Sequence, residues 1–166
     1  GMGYRILRAH DEDSGESHDI AGLMALSDDM KRGGVRPVWL GYICVDDVDQ
    51  CLTRILANGG QLQMPATNIP QVGRIAMVTD PHGAPFYVMR GLSDEASLAF
   101  AFDKPRVGHC AWNELVTPDP EAAKTFYFSE FGWSKDGELD MGPMGRYEFI
   151  RHNGVIGALI PAPEEM

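Results

Sequence analysis

Trp39-Leu-Gly-Tyr-Ile-Cys-Val-Asp46 and Trp112-Asn-Glu-Leu-Val-Thr-Pro-Asp119 carry Trp and Asp at the same separation. At that offset Gly59, in Ala57-Asn58-Gly59-Gly60, falls on Gly132, in Glu130-Phe131-Gly132-Trp133. After one residue of slippage, Gly73-Arg-Ile-Ala-Met-Val78 falls on Gly145-Arg-Tyr-Glu-Phe-Ile150. With small gaps, Gly83-Ala-Pro-Phe-Tyr-Val88 then meets Gly154-Val-Ile-Gly-Ala-Leu159. Anchors that recur in one order mark an internal repeat, and the repeat decides the fold.

Each copy has the same internal grammar. An apolar strand, 38–45 or 110–116, runs into acidic residues able to cap a helix, Asp46 and Asp47 or Asp119. Pro120 sits where a first helical residue needs no N–H donor. Val48, Cys51, Leu52 and Ile55 recur at helical spacing, as do Ala123, Phe126, Tyr127 and Phe131. Glycines then stop the helix, Gly59-Gly60 in one copy and Gly132 in the other. Three strands complete each unit: about 61–64, 74–79 and 85–90, then 135–139, 146–151 and 155–160. Asp80-Pro81-His82-Gly83 is the turn between the last two strands of the first copy.

A partial copy precedes the two whole ones. Tyr4-Arg-Ile-Leu-Arg8 is similar to Tyr147-Glu-Phe-Ile-Arg151, and Ile20-Ala-Gly-Leu-Met-Ala25 to Val155-Ile-Gly-Ala-Leu-Ile160. Asp28-Asp29-Met30 echoes Glu164-Glu165-Met166. The expected organisation is a partial module over 1–35, a βαβββ module over 36–91, a linker over 92–106, a second βαβββ module over 107–162 and a tail over 163–166. The fold class is α+β: two βαβββ modules forming a cupped, barrel-like mixed sheet, preceded by an extra strand pair.

Composition sets limits on function. The 166 residues are enough for one well-cored domain. A net charge of −10 disfavours nucleic acid and anionic membrane as partners. No apolar run approaches a membrane span. The three cysteines, Cys44, Cys51 and Cys110, are odd in number and lack a CxxC spacing, which fits a reducing, cytoplasmic setting. Gly1-Met2-Gly3 shows no signal-peptide pattern, and Gly1 reads as an added residue before a start at Met2.

The motifs Trp112-Asn-Glu-Leu-Val-Thr-Pro-Asp-Pro120, Phe126-Tyr127 and Phe131-Gly132-Trp133 resemble one unit type of tandem vicinal-oxygen-chelate proteins. Trp39-Leu-Gly-Tyr-Ile-Cys-Val-Asp-Asp47 and Asp80-Pro-His-Gly-Ala84 resemble the partner unit. This superfamily holds glyoxalases, bleomycin-resistance proteins and extradiol dioxygenases. The resemblance covers nearly the whole chain and is informative for fold rather than chemistry. Such proteins usually run a whole first-type module before the second type, whereas the first-type unit here lacks a strand, a helix and a second strand. An orphan strand pair exposes edges, so a homodimer, with or without exchanged strands, is the expected consequence.

The resemblance also implies metal positions: a His or Glu on the first strand and a Glu on the last strand of each module. Alignment puts these on Trp39 or Leu40 with Tyr87, and on Trp112 with Ala158. None of these binds a metal, so no metal and no cofactor are expected. Glu114 shares a face with Trp112 by strand alternation, and is the candidate polar anchor or general base, or else a carboxylate hydrogen-bonded within the barrel. Tyr42, Tyr87 and Trp112 are candidate ligand-binding residues, or else fill the barrel as core. His109 falls on the opposite face from Glu114, and His82 belongs to a turn. The cysteines look like core residues. No nucleophile elbow, phosphate loop or dinucleotide fingerprint is present. The expected function is metal-independent binding of a small organic ligand. The alternatives are a metal-dependent lyase or dioxygenase with unconventional ligands, or an inert assembly module.

Overall fold

A computed structural model describes residues 3–11, 14–101 and 104–163. Glu164-Glu165-Met166, Gly1 and Met2 lie outside the described residues. The described chain divides into two compact units. One runs up to Trp39 and includes Glu95–Trp112; the other joins Leu40–Asp94 to the residues from Asn113 onward.

The first unit holds an antiparallel hairpin of β1 (Arg5–His10) and β2 (Ser17–Leu23). Its register shifts between Leu7 and Arg8. Ala9 is the one buried residue of the two strands, while Tyr4, Ile6, Leu23 and Met24 on and beside them are exposed. The short helix α1 (Asp28–Arg32) follows, capped by the Ser27 side chain at the N–H of Met30. That helix has no counterpart in the sequence-based expectation, because its five residues bury nothing and leave no apolar period to detect.

The second unit contains both βαβββ modules. The first is β3 (Tyr42–Cys44), α2 (Val48–Ala57), β4 (Gln61–Ile69), β5 (Gly73–Thr79) and β6 (Pro85–Gly91). The second is β7 (Asn113–Thr117), α3 (Pro120–Phe131), β8 (Ser134–Asp140), β9 (Arg146–Arg151) and β10 (Val155–Pro161). Strand orders are β3-β6-β5-β4 and β7-β10-β9-β8, the same permutation twice. In each sheet the first strand pairs in parallel with the last, and the helix with the two strands after it makes the long connection that a parallel pair needs.

Local chemistry explains the element ends. Asp47 caps α2 by accepting from the N–H of Gln50 at 3.0 Å; Asp46 lies one residue too early. Asp119 caps α3 through the N–H of Ala122 at 3.0 Å, with Pro120 as the first helical residue. Gly132 ends α3 in the left-handed conformation, φ 66°, which costs glycine nothing.

The two first strands are shorter than the expected 38–45 and 110–116. Both tryptophans fall outside them: Trp39 is 79 % exposed, and Trp112 precedes β7. The matched caps, Asp47 with Asp119, show why. The two first strands align one residue away from the Trp-to-Asp spacing.

The core lies on the helical side of the sheets. Val48, Cys51, Leu52 and Ile55 of α2 pack with Ala76, Val78, Phe86 and Val88. Ala123, Phe126 and Tyr127 of α3 join the same cluster with Ile150 and Leu159. Rings also connect the modules. Phe86 meets Phe131 edge-on at 6.0 Å and Tyr127 at 5.8 Å; within the second module Tyr127 stacks on Trp133 at 5.5 Å.

Two polar joints accompany the aromatic contacts. The Tyr127 hydroxyl donates to Asp80 Oδ2 at 3.2 Å, while Asp80 Oδ1 accepts from the N–H groups of His82 and Ala84, both at 2.9 Å. Asp80 thus folds its own turn and holds the other module. Burial, then the Asp80 charge, push the Tyr127 hydroxyl far above its ordinary range, so it stays a donor. Asn58 Nδ2 donates to Glu130, whose second oxygen lies 3.5 Å from Arg54 Nε.

Candidate functional site

Alternation gives each sheet a second face, turned away from its helix. In the first module Ile43 and Val88 point to the core, so their neighbours Tyr42 and Tyr87 point the other way. Tyr42 pairs directly with Tyr87 across the parallel strands. Their rings stack at 4.5 Å and 6°. Tyr42 is 50 % exposed, and Met77 sits opposite Tyr87 on β5. An apolar platform results: two stacked rings with Met77 and Met89 beside them.

In the second module Leu115, Glu148 and Leu159 face the core side. Glu114 therefore lies on the open face, beside Ala158, which in turn pairs with Phe149. Tyr147 shares that face with Phe149, and the two rings meet edge-on at 5.7 Å. The Tyr147 hydroxyl donates to Glu114 at 2.7 Å. Tyr147 went unnoticed in the sequence. Its alternation with buried Glu148 was the available signal, hidden because a Glu reads as a surface residue.

The other candidates are dispersed. Trp112 belongs to the other compact unit and is 41 % exposed; its carbonyl accepts from the Cys110 thiol at 3.5 Å. The alternation from Trp112 to Glu114 does not apply, because β7 starts at Asn113; the Tyr147 bond fixes the face of Glu114 instead. His109 is on no strand, and its Nδ1 bonds to the Leu98 carbonyl. His82 lies in the Asp80 turn. Of the cysteines only Cys51 is buried, and burial pushes its thiol up; Cys44 and Cys110 are exposed, contrary to the core reading.

An open cleft of about 560 Å³ lies in the N-terminal unit, lined by Arg8, Ser17, His18, Asp19 and residues 95–98. The aromatic side chains of the modules do not line it. Its Arg8 is already bound to Asp19 at 2.6 Å. We take the open sheet faces as the candidate site: the first carries the Tyr42–Tyr87 stack, and the second carries Glu114 with Tyr147 and Phe149.

No protein-family model matches the chain. Over 99 residues it is 38 % identical to CFP32 of Mycobacterium bovis, a protein provisionally named a glyoxylase; the match covers 60 % of this chain and 36 % of that one. Over 122 residues it is 33 % identical to the anthracycline biosynthesis protein DnrV of Streptomyces peucetius, covering 73 % and 42 %. A solved glyoxylase/bleomycin resistance protein/dioxygenase domain from Frankia sp. EAN1pec covers 80 % of this chain and 96 % of its own, at TM-score 0.50 and 13 % identity. The chain shares the fold of the vicinal-oxygen-chelate superfamily and is similar over part of its length to a relative named a glyoxylase. It spans less than half the length of the curated relatives it matches.

Metal-binding vicinal-oxygen-chelate modules need a His or Glu on the first strand beside a Glu on the last. The strand register here pairs Tyr42 with Tyr87 and Glu114 with Ala158. Trp39, Leu40 and Trp112 lie outside these first strands. One carboxylate among four positions, already bound to a phenol, does not fit a divalent ion. Among the described residues no three His, Cys, Asp or Glu side chains converge.

Proposed function

We propose that this protein of vicinal-oxygen-chelate fold binds a small organic ligand on its open sheet faces, without a metal, and acts by sequestration or sensing. The stacked, half-exposed Tyr42–Tyr87 pair carries the proposal. Two parallel rings on a rigid strand pair form a flat apolar surface at little entropic cost. Glu114 supplies a polar anchor. The names of the relatives favour small-molecule chemistry, and an odd number of cysteines without a CxxC spacing favours a reducing compartment such as the cytoplasm. No helix among the described residues is long and apolar enough to cross a membrane.

Flat aromatic compounds are expected to raise the melting temperature of the protein. Tyr42→Ala and Tyr87→Ala are each expected to weaken that binding about tenfold, the effect of roughly 1.4 kcal/mol. Full retention of affinity in both variants would remove the platform. A stoichiometric divalent ion in the purified protein, lost together with ligand binding on chelation, would overturn metal independence.

We also propose a homodimer. The β1–β2 hairpin is a two-stranded sheet by itself, a form only marginally stable in water, and it exposes Tyr4, Ile6, Leu23 and Met24. Sedimentation equilibrium is expected to give twice the chain mass. A monomer at micromolar concentration would contradict it.

A further inference from the structure

We infer that the open face around Glu114 is a subsite for an organic cation, an apolar body carrying a protonated amine. This rests on the proposal that the open faces bind a ligand, and it adds the charge of that ligand.

The first observation is how charges are matched in the second module. Lys124 Nζ lies 2.7 Å from Glu121 and 2.6 Å from Glu148. Lys135 contacts Glu138 and lies 2.8 Å from Glu148. Arg146 contacts Glu138, and Arg151 is 2.8 Å from Asp136. Asp119 and Asp140 accept backbone N–H groups, and Glu130 faces Asn58 and Arg54. Among the described residues of this module, Glu114 is the carboxylate whose partner is a neutral phenol alone. Its charge is positioned but not neutralised.

The second observation is what surrounds that charge. Tyr147 and Phe149 stand on the same face, and Ala158 beside Glu114 adds little bulk. Val116 and Leu139 share the face by alternation and pairing, and both are exposed. A carboxylate set among rings and aliphatic groups favours one chemistry. An ammonium gains the ion pair and the negative ring faces together. A neutral ring gains only apolar contact. A carboxylate ligand meets repulsion from Glu114. The Tyr147 hydroxyl has a positioning role, holding the carboxylate in one rotamer before the ligand arrives.

Three dyes sharing one ring system separate these cases: an aminoacridine cation, neutral acridine and an acridine carboxylate, titrated by fluorescence at neutral pH. The wild-type protein is expected to bind the cation about tenfold tighter than neutral acridine, and the anion weakest. Glu114→Gln is expected to erase the cation preference while neutral acridine still binds. Tyr147→Phe is expected to weaken cation binding about threefold. Asp28→Asn on α1 removes the same unit of charge and is expected to change nothing, which excludes the net charge as the cause.

Equal binding of cation and anion, or a cation preference that survives Glu114→Gln, overturns the subsite. Neutral acridine binding that is still lost in Tyr42→Ala would then show the ligand face intact without it. If none of the three dyes binds, the ligand face and the cation subsite fall together.

Discussion

Glu148→Gln is expected to destabilise the protein by about 3 kcal/mol, the usual cost of breaking a buried ion pair. Glu148 sits on the core side of β9 with its side chain 7 % exposed. One oxygen accepts from Lys135 at 2.8 Å. The other lies 2.6 Å from Lys124, close enough for an ion pair though off-line for a hydrogen bond. Lys124 is itself 12 % exposed, so the amide would leave its ammonium with only the exposed Glu121 as counter-charge. A double change to apolar residues, Glu148→Leu with Lys124→Met, is expected to recover most of the loss, because no buried charge is stranded.

The effect carries a pH signature. Burial pushes the Glu148 carboxyl up, but the close contacts and charges of Lys124 and Lys135 outweigh it and hold the group below the usual carboxylate range. A lowered folded value means stability present above the unfolded value, about 4.3, and lost as pH falls through the folded one. The gap between wild type and Glu148→Gln in urea titrations is therefore expected to be full above about pH 5 and to close in acid. A gap that stays constant from pH 7 to about pH 3 would contradict the ion pair as its source.

Gly157→Ala is expected to cost about 2–3 kcal/mol and to abolish binding at Glu114. A Cβ at Gly157 would lie 2.2 Å from the Asn113 carbonyl oxygen and 3.0 Å from its carbon. Both are backbone atoms, so no rotamer change relieves the clash. β7 would have to leave β10, and the pairs Gly157–Asn113 and Ala158–Glu114 are neighbours in that ladder. The strand carrying the carboxylate would lose its register. Urea denaturation gives the stability loss, and amide exchange along β7 locates it. Wild-type stability with unchanged exchange would show that the two strands are less tightly placed than these distances state.

The repeat made the fold legible because helix and strand periods differ and each module spells both in the same order. The last strands were read within a residue, since glycine turns and continuous apolar runs bound them. The first strands were not. A tryptophan lies the same distance before an aspartate in both copies, and that coincidence set the alignment one residue out. Trp112 was credited with a strand position, and β7 starts one residue after it. The Tyr42–Tyr87 pair was legible as two aromatics but not as a stack, because registry across parallel strands depends on a long connection whose exit no local pattern fixes. Tyr147 was invisible because the sequence could not say that Glu148 is buried.

The strand pairings close within each module, whereas the Phe86–Phe131 and Asp80–Tyr127 contacts join one module to the other. Synthesis on the ribosome makes that a question of timing. The first sheet has all its strands once Gly91 is made, but the groups that cover Phe86 arrive only with α3, roughly forty residues later. At ribosomal speeds of about 5–20 residues per second, the nascent chain carries that uncovered apolar surface for about 2–8 s. This interval is when a chaperone would find the most to hold.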